Sequence, residues 1–207
     1  NYPLILPLQI LLPFIMEQAE AMKEAIPAFK SGQPVGDGIG PMIAGKMMLE
    51  HEKETVAFQT SLAKINFEDR KLFLLKAEGP GSTVGRPADG LEKIMSENKI
   101  DAIIMIDAAL KMEGEDSASI AQGFGAAIGG IGTERFQIEA IATTNSIPIF
   151  SIVVKQSVKE AITLMTKDIA DTAEIVRLQV NEMIIENTKP GQSIVIIGVG
   201  NTSGVPQ

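Results

Sequence analysis

The sequence contains no cysteine and no tryptophan, and only one histidine and one tyrosine. Without cysteine there is no disulfide framework, no thiolate zinc site and no thiol nucleophile. The single histidine, His51, excludes a metal site built from several imidazoles. Aromatic residues make up 4% of the chain, so a core must be assembled from Ile, Val, Leu, Met and Ala. Positive charge is also scarce. Eighteen Lys and Arg against 26 Asp and Glu leave a net charge of −8, and no basic cluster stands out. That balance argues against nucleic acid and against an anionic membrane surface as partners.

What is present is aliphatic. Hydrophobic residues are 45% of 207, which excludes a disordered chain and suffices for one large domain with a real core. The absence of cysteine fits a reducing, cytoplasmic compartment. The chain starts at Asn1 rather than Met, so a fragment or a processed product is expected. Tyr2–Met16 is apolar but carries Pro3, Pro7 and Pro13. A spanning helix needs roughly 20 apolar residues, so this stretch reads as an extended arm. It could follow a membrane segment upstream, which would associate the full-length protein with a membrane. An N-terminal arm and helix over 1–30 and a single domain over 31–207 are expected.

The rest alternates strand and helix patterns. Phe14–Lys30 has helical spacing, and a helix from Pro41 runs to about Glu54. Val56–Ile65 and Lys71–Lys76 read as strands joined by a short turn. A helix over 88–97 leads to the apolar run Ile103–Ile106, which ends in Asp107. Such a run is typical of a strand buried on both faces of a parallel sheet. Ser117–Gln122 reads as a short edge strand, Thr133–Thr144 as a helix and Ile147–Val154 as a strand. Ser157 caps a long helix, continuous or broken between Ala173 and Val176, that ends at Lys189-Pro190-Gly191, and Ser193–Val199 is the last strand. The pattern predicts a three-layer α/β/α domain with a mostly parallel sheet.

Several constellations could carry chemistry. Asp107 sits where open α/β sheets bind ligands, at the carboxyl end of a central strand. Asp37 lies in VGDGIGP between Gly36 and Gly38, just before a helix, where the dipole favours a carboxylate. The last strand runs into a Gly-x-Gly-Asn turn with Gly200 and Asn201. A third loop, EGPGSTVGRP, carries Gly79, Gly81, Gly85 and Arg86 between a strand and a helix. Free N–H groups there could cradle an anion. The spacing matches neither a P-loop nor a dinucleotide fingerprint. Packing and tight-turn roles are the plain alternative for each glycine.

The pieces IIGVGNTSG at 196–204, VGDGIGP at 35–41 and IIMIDAAL at 103–110 resemble the strand ends of two protease families. These are the germination proteases of spore formers and the hydrogenase maturation proteases. The first piece stands at the opposite end of the chain from its place in those families. The resemblance therefore implies a circular permutant of that phosphorylase/hydrolase-like fold. Similar permuted sequences form an uncharacterised archaeal domain family. In the germination proteases the acids matching Asp37 and Asp107 are the catalytic pair. In the maturation proteases they bind a metal together with a histidine, which has no match here. His51 lies 14 residues past Asp37, about 21 Å along a helix.

Three functional expectations follow. The first is a peptidase-like hydrolase using Asp37 and Asp107 as an acid/base pair, because two adjacent carboxylates cannot both ionise easily. The second is a non-catalytic regulatory module whose glycine loops hold a peptide or a small anionic ligand, as a monomer or an oligomer. The third is a divalent cation held by Asp37 and Asp107 with backbone carbonyls. The sharpest spatial expectation is that the tail folds back beside the Asp37 loop.

Overall fold

A computed structural model describes residues 4–78, 84–127 and 133–205. Seven strands form one sheet: β1 (Lys53–Ala57), β2 (Thr60–Phe67), β3 (Arg70–Ala77), β4 (Ala102–Leu110), β5 (Ile120–Phe124), β6 (Ile149–Gln156) and β7 (Ser193–Gly198). Their spatial order is β1-β2-β3-β7-β4-β6-β5. The four central strands β3, β7, β4 and β6 are parallel to one another. The flanks are antiparallel, with β1 and β2 on one side and β5 on the other. The centre is therefore parallel and three of seven strands arrive as hairpin or edge strands.

The centre is apolar because both its faces are covered. On one face Leu72, Leu74, Ile104, Ile106, Ile194 and Ile196 pack with α2 (Ile39–Met47) and α6 (Lys167–Asn187). On the other, Leu75, Ile103, Met105, Val195 and Ile197 pack with α3 (Pro87–Glu97) and α4 (Thr133–Thr144). The alternation along each strand assigns odd and even residues to opposite cores. Almost no aromatic ring takes part, as the composition requires.

Several expectations are corrected by the elements themselves, among them the helix from Pro41, which ends at Met47 rather than near Glu54. Val56–Ile65 is not one strand. It breaks at Phe58–Gln59, where Gln59 takes a positive φ of 47°, and so becomes β1 and β2. The β2–β3 connection is a two-residue turn with Glu68 and Asp69 both at positive φ, the geometry that matches the twist of a hairpin. The helix after Ser157 does break, but earlier than expected, ahead of Thr166 rather than beyond Ala173. Ser157 caps α5 (Val158–Ile162) in a reciprocal capping box with Glu160. Thr166 then caps α6 afresh. Between them Leu164 bridges to Val35, which holds the stretch before Asp37 against this break.

The N-terminal stretch is not extended. α1 runs over Ile5–Ser31 as a single helix with Pro13 and Pro27 inside it. Proline removes one hydrogen bond and crowds one carbonyl, but the flanking aliphatic residues keep the helical backbone. By length and composition α1 is the described helix that could cross a membrane. Its buried residues are Ala21, Ala25 and Ala28 only. That small-residue seam belongs to the half of the helix that lies against α5. Gly32 ends α1 in the left-handed conformation, with φ of 63°.

Candidate functional site

The site forms where β7 is shorter than its neighbour. The last β7 residue, Gly198, pairs with Ile106 of β4. Asp107 is the next β4 residue, still paired with Val153 of β6 on its other flank. Its carboxylate accepts a hydrogen bond from the Ala108 N–H at 2.7 Å, and the residue is 2% exposed. A buried carboxylate at a strand end is costly unless something holds it.

The Asp37 loop crosses the same strand ends. Residues Gly36–Gly38 form a single 3-10 turn ahead of α2. Close approach is possible because side chains are missing where backbones meet. A Cβ on Gly40 would stand 2.1 Å from the Val199 carbonyl oxygen and 2.5 Å from that of Ile106. Gly200, at φ of 139°, touches the loop from below; a Cβ there would stand 2.0 Å from the Asp37 carbonyl oxygen. The tail thus lies beside the Asp37 loop. The Asn201 N–H donates to the Asp37 carboxylate at 2.8 Å. Burial pushes the Asp37 carboxyl above its ordinary range, and the Asn201 hydrogen bond only partly opposes it.

Asp37 and Asp107 line one cavity of about 340 Å³. Its walls are apolar, from Ala108, Ala109 and Leu110 of β4, Val153 of β6, Ala161 of α5 and Ala127. Two further polar side chains reach it, Arg135 and Gln156. Arg135, on the first turn of α4, is ion-paired with Glu139 at 3.3 Å and half exposed. Gln156, at the carboxyl end of β6, is fully buried and donates from Nε2 to the Gly36 carbonyl at 2.9 Å. Its Oε1 has no hydrogen-bond partner and fills the space a Cβ on Gly36 would need, 2.3 Å away. The amide therefore lies flat on Gly36 and fixes the loop that carries Asp37.

The remaining candidates are placed as follows. Gly36 and Gly38 are packed against Gln156, Glu160 and Asn201, so their close contacts are made within the protein. Gly200 and Asn201 are at the site through their backbone. Gly85 packs on Gln59 and Thr60 of the hairpin turn, and the Arg86 N–H donates to the Thr60 hydroxyl at 2.8 Å. The Arg86 side chain is exposed and paired with Asp89. Neither Gly85 nor Arg86 lines the Asp37–Asp107 cavity. Gly79 and Gly81 lie outside the described residues. His51 is exposed in the turn after α2 and is not part of the lining.

Arg135 and Gln156 were not singled out from the sequence. Gln156 had a signal: it is a polar residue ending an apolar strand at the same sheet edge as Asp107. Arg135 had none, since it is one charge on an ordinary amphipathic helix. As a metal centre the cavity offers two carboxylates. Among the described residues no group of three or more His, Asp or Glu is gathered for a cation. A hard cation would have to complete its shell with carbonyls and water.

Comparison with known proteins gives a family. The C-terminal domain of DUF1512, a domain of unknown function, matches residues 35–206, and the DUF1512 N-terminal domain matches residues 1–32. The chain belongs to the DUF1512 family. No curated protein matches its sequence. Among solved structures, a proteasome-assembly chaperone homologue of Mycobacterium tuberculosis is similar over 75% of this chain and 93% of that one. The identity is 10% and the TM-score 0.44.

Proposed function

We propose that this cavity is a two-carboxylate hydrolytic site acting on a peptide bond. The observation that carries the reading is that Asp37 and Asp107, 70 residues apart in sequence, line the same cavity at the carboxyl edge of the sheet. An acid/base pair needs one protonated and one ionised member, and the two aspartates take these roles in turn. Asp37 is shifted toward its protonated form by burial. Protonated, it donates a hydrogen bond to a substrate carbonyl and polarises it. Asp107 then serves as the ionised partner that takes a proton from water as the water attacks, and passes that proton to the amide nitrogen as the C–N bond breaks and the amine leaves. Asn201 and Gln156 position Asp37 through the backbone contacts described above. The same reading takes the fold as a permuted relative of the germination and hydrogenase maturation proteases, with the last strand standing where theirs comes first.

The test is turnover of a fluorogenic unfolded protein between acid and neutral pH. Asp37→Asn and Asp107→Asn should each lower the rate about 1,000-fold while circular dichroism stays that of the folded protein. Undiminished turnover in either variant ends the dyad. Arg135 supports a second reading, in which the cavity binds an anionic ligand or a partner's peptide without cutting it. Saturable peptide binding with no turnover, weakened by Arg135→Ala, would replace the first reading by this one.

A further inference from the structure

The N-terminal half of α1 is bare. Leu6 is 64% exposed and Ile10 68%, and their apolar neighbours from Leu4 to Met16 are exposed as well. No Asp, Glu, Lys or Arg occurs before Glu17. A single protein partner would not solve this. At about 100° per residue, Leu4, Leu8 and Ile15 fall on one side of the helix, Leu6 and Ile10 on the opposite side, and Phe14 on the flank between them. A second copy pairing as a coiled coil covers one seam and leaves the other side in water. A helix that is apolar all round fits a medium that surrounds it. The backbone is self-satisfied apart from the carbonyls that Pro13 disrupts, which membrane helices tolerate.

We propose that residues 4–16 of α1 insert into the hydrocarbon of a lipid bilayer and hold the Asp37–Asp107 cavity at the membrane surface. The second half of α1 supplies the ruler. Glu24 is ion-paired with Lys159 of α5 at 2.8 Å. Two residues further along α5, Ala161 lines the cavity. From Glu24 back to Met16 is about 12 Å of helix. The cavity wall therefore stands about 12 Å along the helix from the end of the apolar run, just beyond a headgroup layer of about 5–8 Å. The charges next to the boundary are Glu17, Glu20 and Glu24 against Lys23, and the whole chain is acidic. Insertion is thus driven by apolar area, without help from anionic lipid. It stands independently of the hydrolase reading; only the use made of the cavity there rests on it.

The experiment is co-sedimentation of the full chain with zwitterionic phosphatidylcholine vesicles. Binding should be equal at low and high salt and should weaken when phosphatidylserine is added. Leu8→Asp and Ile10→Asp, on opposite sides of the helix, should each lower partitioning about 100-fold. Thermal melts should report the α/β domain intact in both variants. Absence of vesicle binding overturns the proposal. So does sensitivity confined to one of the two variants together with concentration-dependent self-association in solution, which would assign the helix to a second copy. Neither readout depends on turnover, so failure here is separable from failure of the dyad.

Discussion

Gly40→Ala is the substitution that most directly tests how the Asp37 loop is seated. Alanine is the better helix former, by at most about 1 kcal/mol. Against that stands the fit of α2 on the strand ends. The new methyl would stand 2.1 Å from the Val199 carbonyl oxygen and 2.5 Å from the Ile106 carbonyl oxygen. Both are main-chain atoms of the sheet centre, joined by the Val199 N–H to Ile106 carbonyl hydrogen bond of 2.8 Å, and neither can swing away. The helix must rise by about 1 Å, enough to forfeit a quarter to a half of each dispersion contact beneath it. Ile39, Ile43 and Ala44 are all fully buried under α2. Each isoleucine contributes about 2–3 kcal/mol by burial. Lost contact and residual overlap together come to about 3–5 kcal/mol, leaving a net destabilisation of about 2–4 kcal/mol. Urea unfolding measures it. Gly90→Ala is the control, because its methyl meets the flexible Val56 and Leu75 side chains at 3.2–3.3 Å. That control should change stability by less than about 1 kcal/mol. A Gly40→Ala protein within about 1 kcal/mol of the parent would refute the seating argument.

Asp37→Asn should raise the melting temperature at neutral pH. Burial lifts the folded pKa of Asp37 above its unfolded value. Its stabilising contribution is therefore complete below the unfolded pKa and fades as pH rises through the folded one. Asparagine keeps an acceptor for the Asn201 N–H and carries no charge to bury, so the advantage should shrink toward acid pH; equal melting curves at every pH would contradict it. Arg70→Met should cost about 3 kcal/mol in urea unfolding, since the buried guanidinium donates to the Thr188 hydroxyl, the Thr188 carbonyl and the Glu68 carbonyl and so ties the end of α6 to the β2–β3 turn. Ser157→Ala should cost about 1 kcal/mol through loss of the capping box on α5. A cost near zero for Ser157→Ala would mean that Glu160 alone, which accepts from both the Ser157 N–H and the Ser117 hydroxyl, holds this corner.

What the sequence made legible follows from local physics. The central strands announced themselves as apolar runs, and the start of α5 as a Ser157 cap, because burial on both faces and end capping leave marks within a few residues. The edge strand expected at Ser117–Gln122 exists as β5 but lies further along, at Ile120–Phe124. Three things were not local. The split of β1 from β2 depends on one positive-φ residue, Gln59, which glycine or asparagine would have advertised. The helical state of residues 5–16 contradicts a pattern of three prolines read as breakers; proline near a helix start is tolerated, and Pro13 is accommodated. Gln156 reached the site through a fold-level contact with Gly36, 120 residues earlier, which no periodicity encodes.

The strand order explains why the site could be anticipated by its acids but not by its distances. Chain order would place β4 beside β3, yet β7 enters between them. That insertion does two things at once. It delivers the tail, Val199 to Val205, to the middle of the carboxyl edge, where Asn201 meets Asp37. It also ends one residue short of Asp107, at the Ile106–Gly198 pair, and so opens the step that α2's leading loop occupies. Asp37 is then held from three directions: by Gly200 and Asn201 below, by Gln156 through Gly36 behind, and by Gly40 on the strand ends ahead. The last strand and its tail thus contact the loop that brings Asp37 to the cavity it shares with Asp107. A site with those contacts reports on the whole fold, which is why a methyl group on Gly40 should disturb Asp37 as surely as a change to Asp37 itself.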